Sequence, residues 1–160
     1  MKYARLSKEQ FNLLNKEFSN YLGTLSIDKP KWSLLKKNKV KVDKILDDFS
    51  DLVWDKVISE EVYLIHYSKK QVFYFFCNLN CMELISISVK SEFNLRNKNI
   101  WKWIIKNIFS ENVNIFYSKK KYLKDRKIEI FELIKMGSII DSGETYTKIK
   151  NLIYESYICK

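Results

Sequence analysis

The sequence predicts an α+β fold: a single domain over residues 1–160, with about six helices packed on a small, three-stranded, mainly antiparallel sheet. Two patterns indicate this fold. Between Ile45 and Trp54, apolar residues fall on one broad helical face with aspartates opposite, which is typical of an amphipathic helix. The continuous apolar run Val72–Cys77 is rich in aromatic residues, which is typical of a buried strand. The chain has 160 residues, which is long enough to bury a core, and 46% of them are hydrophobic.

The first part of the chain predicts three helices, at about residues 7–22, 30–35 and 40–58. Ser7 and Gln10 have the spacing of a capping box, in which each side chain covers a free backbone N–H of the first turn. Gly23 is expected to end the first helix in a left-handed conformation, and Pro30 favours the start of the second.

The rest of the chain predicts three strands and three more helices. The expected strands are Gln71–Asn78 and Met82–Lys90, which form a hairpin, and Val113–Tyr117. The expected helices are one capped by Asn94 or Asn97 that runs to about residue 108, and two that cover about residues 120–136 and 144–157. The segment Val62–Tyr67 fits a short helix or a strand, and we favour the helix.

Basic residues outnumber acidic ones by 29 to 19, and the formal net charge is +10. Such an excess indicates a polyanionic partner such as RNA. Lysine outnumbers arginine by 26 to 3, a bias that codon drift in an AT-rich genome produces whatever the protein binds. Drift explains lysine in place of arginine better than it explains the excess of bases over acids, so both interpretations stay open.

Two lysine-rich segments are the candidate RNA-binding sites. Residues 29–44 carry seven lysines against one acid, and residues 119–127 are expected where the third strand meets the next helix. In the segment 119–127, cations near the start of the predicted helix oppose the helix dipole. Their presence favours a role in phosphate binding over a solvated surface. The predicted RNA contacts are Lys36, Lys37, Lys39 and Lys41 in the first segment, and Lys119, Lys120, Lys121, Lys124, Arg126 and Lys127 in the second.

An acidic stripe lies between these segments. Asp47, Asp51 and Asp55 are spaced by four and therefore share one ridge of the predicted third helix. A solvated face is the plain interpretation, and a surface that docks a basic protein is the functional one. A hard cation is disfavoured because carboxylates on one ridge do not form an oxygen cage.

Motifs for catalysis, cofactors and metals are absent from the sequence. It has three glycines and no phosphate-binding glycine loop, GxSxG or HExxH motif. A zinc site would need Cys77, Cys81, Cys159 and His66, which are all the cysteines and histidines of the chain. We therefore predict a non-enzymatic protein with no cofactor, no metal and no small-molecule substrate.

No apolar run reaches the length of a membrane span, so we also predict a cytoplasmic protein with no membrane partner.

Three stretches together resemble a small family from Bacteroidota, a domain of unknown function of about this length. They are MKYARLSKEQFNLLNKEF (1–18), FSDLVWDKVISEEVYLIHYSKKQVFYFFC (49–77) and DRKIEIFELIKMGSIIDSGETY (125–146). The resemblance covers nearly the whole chain and carries no catalytic residues. It implies a lineage-specific protein of the large ribosomal subunit, whose partners are ribosomal RNA and neighbouring ribosomal proteins. The alternative is a cytoplasmic protein–protein adaptor that uses the acidic helix near residues 43–61 and exposed aromatics, without RNA.

Overall fold

The computed structural model describes residues 1–60, 62–90 and 100–158. They form two compact units, Met1–Ser59 and Glu60–Lys160, which we call unit 1 and unit 2. The prediction of one domain over residues 1–160 stays a prediction.

Unit 1 is helical. Its helices are α1 (Lys8–Leu13), α2 (Asn15–Thr24), α3 (Lys29–Leu35) and α4 (Lys39–Val57). The side chains of Ser7, Asp28 and Asn38 cap α1, α3 and α4 by accepting a backbone N–H three residues further on. The capping box predicted at Ser7 is confirmed, because the Gln10 side chain also accepts the Ser7 N–H.

The single first helix predicted to Leu22 is in fact two helices, with a break at Leu14. Asn15 explains the break: its side-chain amide donates to the carbonyl of Asn12 at 3.0 Å, the group that the N–H of Lys16 would reach in a continuous helix. Asparagine side chains compete with helical hydrogen bonds in this way, and the periodicity of apolar residues gives no sign of it.

The end of α2 also differs from the prediction, because Gly23 lies inside the helix and Ser26 takes the left-handed conformation at φ 56°. The N–H groups of Ser26 and Ile27 reach back to the carbonyls of Gly23 and Leu22, which is a Schellman motif. A non-glycine residue therefore holds the position that this motif usually gives to glycine.

Aromatic rings fill the centre of unit 1. Phe18 contacts Phe11, Tyr21, Trp32 and Phe49, with ring centroids 5.0–6.5 Å apart. Phe49, on α4, is 2% exposed. These rings join all four helices, so the apolar face predicted for α4 packs on the helices that precede it.

Unit 2 contains one sheet and three helices. The strands are β1 (Val62–Tyr67), β2 (Gln71–Cys77), β3 (Cys81–Val89), β4 (Val113–Lys121) and β5 (Ile139–Asp141), and the helices are α5 (Ile100–Lys106), α6 (Arg126–Lys135) and α7 (Glu144–Ile158). The strand order is β4-β3-β2-β1-β5, and every neighbouring pair is antiparallel. Residues 91–99, where we expected the start of α5, lie outside the described part.

The prediction of six helices on a three-stranded sheet is wrong: the described residues form seven helices and a five-stranded sheet. Val62–Tyr67, which we expected to be helical, is strand β1 and pairs with β2 along its whole length. A short apolar segment has too few residues for its periodicity to separate helix from strand. Strand β5 has three residues and gives no periodic signal at all.

Strand β4 runs four residues further than predicted, through Lys119, Lys120 and Lys121. Its register with β3 continues without a break from Val89↔Val113 to Cys81↔Lys121. The hydrogen-bonded ladder therefore overrides the low strand propensity of lysine. Charged side chains are also common on edge strands, where they oppose unwanted pairing with the strands of other molecules. As a result, α6 begins at Arg126 and not near Lys120.

One buried cluster of unit 2 lies on one face of the sheet. In β3 the alternate residues Glu83, Ile85, Ile87 and Val89 are buried, and the residues between them are half-buried. Ile104 from α5, Ile108 from the turn that follows it, and Tyr146 and Ile149 from α7 belong to the same buried cluster. A buried glutamate on an otherwise apolar face therefore needs polar partners from the helices or strands that surround it.

Replacing Ser26 by glycine should stabilise the protein. A left-handed residue with a Cβ costs about 1–2 kcal/mol, and the added freedom of glycine in the unfolded chain offsets about half of this, so we expect a gain of about 0.5–1 kcal/mol. Urea denaturation followed by circular dichroism measures the change. The control Ser26→Ala keeps the Cβ and should give no gain; equal midpoints for the two variants would contradict this explanation.

Candidate nucleic-acid interface

The first predicted RNA-binding segment lies on α3, α4 and the turn that joins them. Lys36 is the C-terminal cap of α3, Lys37 lies in the turn, and Lys39 and Lys41 lie in the first turn of α4. All four side chains are exposed. The structure therefore brings these four predicted residues together on one short surface, which we call the α3–α4 lysine segment.

No described carboxylate pairs with these four lysines. The one acid within residues 29–44 is Asp43, and its side chain accepts from Nη1 of Arg5 at 2.8 Å. The positive charge of the α3–α4 lysine segment is therefore not neutralised by the described part of the chain. Lys39 and Lys41 also oppose the dipole of α4, whose first turn contains no acidic residue. An external anion would relieve both effects.

The second predicted segment is arranged differently, because the described acids pair with three of its lysines. Lys119 lies 3.4 Å from Glu83, Lys120 lies 2.7 Å from Glu129, and Lys124 lies 3.1 Å from Glu132. Lys121 is exposed at the end of β4, and Lys127 is half-buried on α6. These pairs reduce the charge that this segment can offer to phosphates.

Arg126 has a structural role in this segment. Its guanidinium donates to the carbonyl oxygens of Asn78 (2.8 Å) and Cys77 (2.9 Å) and to that of Glu60. The hydroxyl of Tyr122 donates to the carbonyl oxygens of Asn78 and Cys81. Arg126 and Tyr122 thus satisfy the backbone of the β2–β3 turn, and the guanidinium has little capacity left for phosphate.

The acidic stripe on α4 contacts the chain's own N-terminal segment, Met1–Leu6. Asp51 accepts the backbone N–H groups of Lys2 (2.6 Å) and Tyr3 (2.8 Å), and Asp55 accepts the Tyr3 hydroxyl at 3.0 Å. Asp47 accepts from Nε of Arg5 at 2.6 Å, and this guanidinium lowers the pKa of Asp47. The docking of another protein on Asp47, Asp51 and Asp55 stays a prediction, and all three carboxylates already have partners.

Two further contacts fasten the N-terminal segment to α4. The N–H of Leu6 donates to the Ser50 hydroxyl, and the indole N–H of Trp54 donates to the Ala4 carbonyl at 3.0 Å. Tyr3 and Leu6 are buried. Every residue from Lys2 to Leu6 therefore has a polar contact with α4 in the described structure.

Sequence reasoning missed a buried charge network around Glu83. The Glu83 carboxylate is 4% exposed and accepts from Nζ of Lys150 at 2.5 Å and from the Tyr146 hydroxyl at 2.6 Å. Burial alone raises the pKa of Glu83, but the hydrogen bonds from Lys150 and Tyr146 outweigh it and lower the pKa to about 2. The available signal was Glu83 itself, which shares the alternation of Ile85 and Ile87 within β3.

Cys77 and His66 do not form a nucleophile–base pair. His66 lies opposite Phe73 in the sheet, so it is four residues, or about 13 Å, from Cys77 along β2. Burial raises the pKa of the Cys77 thiol to about 12, although the nearby Arg126 lowers it. A buried thiol of this kind is a poor nucleophile at neutral pH.

Residues 1–154 match a family model described as a family of unknown function, DUF6495. The chain belongs to this family. Among the curated proteins and the solved structures, none matches the chain. Within the described residues, no helix is both long and apolar enough to cross a membrane.

Removing the Asp51 carboxylate should destabilise the protein. Asp51→Ala leaves the partly buried N–H of Tyr3 without its acceptor, and we expect a loss of about 1–3 kcal/mol in the free energy of unfolding. Urea denaturation measures it. The matched control is Asp48→Ala on the exposed side of α4, for which we expect a change within about 0.5 kcal/mol. Equal losses for the two variants would show that the N-terminal segment does not depend on Asp51.

Stability should fall in acid through Glu83. The carboxylate has a pKa of about 2 in the folded protein against an ordinary value of 4.5, so its contribution is present above about pH 4.5 and is lost as the pH falls towards 2. The contribution amounts to up to about 3 kcal/mol. Urea denaturation between these pH values should show the difference between wild type and Glu83→Gln shrinking with acidity. The exposed control Glu111→Gln should show no such trend, and a constant difference for Glu83→Gln would contradict the assignment.

Proposed function

We propose that this protein is a non-enzymatic structural component or accessory protein of the large ribosomal subunit that binds ribosomal RNA through its lysine-rich surfaces. The observation that carries the proposal is the α3–α4 lysine segment, where Lys36, Lys37, Lys39 and Lys41 are exposed and no described carboxylate pairs with them. Flexible ammonium groups without internal partners are suited to phosphate contacts, which position a protein on RNA without reading its sequence.

The distribution of ion pairs supports the α3–α4 lysine segment as the main contact and Lys121 as a second one. Lys119, Lys120 and Lys124 each have a carboxylate partner, so an RNA phosphate would have to compete with Glu83, Glu129 or Glu132. Exposed pairs such as Lys124–Glu132 are weak and exchange partners readily. We assign Lys119, Lys120 and Lys124 a secondary role and Arg126 a structural one.

The ribosomal part of the proposal depends on the family resemblance of the sequence and on the net charge of +10. Apolar side chains add to it: Leu34 and Val40 are exposed beside the lysines of α3 and α4. Neighbouring ribosomal proteins would cover such side chains while phosphates meet the ammonium groups. The cytoplasmic location follows from this assignment.

The second candidate is the protein–protein adaptor without RNA. One observation favours it: β4 lies at an end of the described sheet and exposes Phe116 and Tyr117. A partner strand or an apolar groove would bind such a surface. The acidic helix contributes less to this alternative, because the N-terminal segment occupies the carboxylates of Asp47, Asp51 and Asp55.

Replacing Lys36, Lys37, Lys39 and Lys41 together by glutamine should weaken binding to the large subunit. The variant keeps long, helix-compatible side chains, so circular dichroism and the melting temperature should stay close to those of the wild type. Each phosphate contact contributes about −0.7 to −0.9 to the slope of log affinity against log salt, so the slope should become shallower by about 3. Sedimentation of purified large subunits with the protein over a range of salt concentrations measures both effects.

The matched control replaces four exposed lysines of unit 2 that have no described carboxylate partner: Lys69, Lys70, Lys90 and Lys148, each changed to glutamine. It removes the same charge and should keep most of the wild-type slope. If both variants leave the subunit at the same salt concentration, the attraction is diffuse and the assigned surface is wrong. A wild-type protein that does not sediment with the subunit, or whose binding does not depend on salt, would favour the adaptor.

A further inference from the structure

Unit 1 contains a cleft of about 930 Å³ among α1, α2 and α3. Its apolar lining includes Phe11, Phe18, Leu22, Ile27, Trp32 and Leu46. The volume lies within the range of about 300–1,000 Å³ that is usual for ligand pockets. The aromatic centre of unit 1 therefore leaves a concave surface with room for a flat ring.

The rim of the cleft is positively charged. Lys8, Lys29 and Lys36 line it, are exposed, and have no carboxylate partner in the described part of the chain. Asp28, at the same rim, already accepts the backbone N–H of Lys31 at 2.9 Å. Arg5 is held by Asp43 and Asp47. The rim thus carries three ammonium groups without a described ion-pair partner against the single carboxylate of Asp28.

Trp32 is the ring best placed to receive a ligand. It is half-buried on α3, lines the cleft and, among the described rings, contacts Phe18 alone, edge to face at 5.6 Å. Most of its π surface is therefore not covered by another ring. Asn12, also on the lining, has a side-chain amide with no described partner and offers both a donor and an acceptor.

The geometry points to this cleft as a site for an unstacked base of single-stranded RNA, which stacks on Trp32 while Lys8, Lys29 and Lys36 contact the flanking phosphates. This inference rests on the proposed function and specifies the kind of RNA. Lys36 belongs both to the rim and to the α3–α4 lysine segment, so the cleft continues the surface assigned to phosphates. An aromatic platform beside lysines is the combination by which proteins hold single-stranded nucleic acid.

The charge of the rim decides against an apolar peptide as the occupant. Such a peptide would bury the apolar lining but would leave three ammonium groups without counter-charges. A nucleotide supplies a flat apolar ring and an anion together, and it matches both parts of the cleft. A protein side chain in the cleft is the other outcome that the experiment distinguishes.

The test compares single-stranded RNA with duplex RNA of the same length. The single-stranded ligands are labelled oligouridine and oligoadenosine of about 12 nucleotides, a length within the usual range of single-strand binding sites. A duplex of equal length is the reference. Fluorescence anisotropy gives the two affinities for wild type, Trp32→Leu and Trp32→Tyr. Trp32→Leu keeps an apolar side chain but removes the ring, and Trp32→Tyr restores a ring.

We expect Trp32→Leu to lower the affinity for single-stranded RNA by about tenfold or more, with a change below about twofold for the duplex, and Trp32→Tyr to recover most of the loss. Circular dichroism and melting temperature confirm that both variants fold. Equal losses for single strand and duplex, or no recovery with tyrosine, would overturn the base site.

Failure of this inference is distinct from failure of the proposed function. If the glutamine variant of Lys36, Lys37, Lys39 and Lys41 weakens binding to both RNAs and Trp32→Leu weakens neither, the phosphate surface stands and the base site is wrong. If Trp32→Leu releases the protein from the large subunit without changing its affinity for single-stranded RNA, the cleft holds a protein side chain, which also overturns the base site. If no variant changes RNA binding, both proposals fail.

Discussion

The hydrogen bonds between the N-terminal segment and α4 determine the charge distribution of unit 1. Arg5 forms ion pairs with Asp43 and Asp47, and Asp51 accepts two backbone N–H groups. The acids nearest the lysines of α3 and α4 are thereby used within the protein. In the part of the chain that the structure describes, the lysines of residues 36–41 stay available, while Asp43, Asp47 and Asp51 of the following acidic run already have partners.

Two lysine-rich segments that look alike in sequence have different roles because of their neighbours. Lys36, Lys37, Lys39 and Lys41 lie on helix ends and a turn, are exposed and have no carboxylate partner among the described residues. Lys119 instead lies opposite Glu83 in the β3–β4 register, and Lys120 reaches Glu129 on α6. Cross-strand pairs of opposite charge stabilise a sheet, so part of the second segment serves folding.

Glu83 shows how a buried charge is tolerated in unit 2. An ion pair with Lys150 and a hydrogen bond from Tyr146 connect β3 to α7, and both partners come from one face of that helix. A buried carboxylate is costly without such partners and strongly destabilising when one is removed. The network therefore fixes the position of α7 on the sheet. It also places the exposed Lys119 and the half-buried Lys150 beside the Glu83 carboxylate.

The sequence by itself determined the elements that have a strong local signal: the capping box at Ser7, the amphipathic helix α4 and the hairpin of β2 and β3. It also pointed to the basic segments, because charge can be counted without a structure. The tertiary structure decided what depends on distant partners: the strand state of Val62–Tyr67, the short strand β5 and the extension of β4 through Lys121. It also decided which lysines have a carboxylate partner among the described residues, because an ion pair depends on residues that are distant in the sequence and close in the fold.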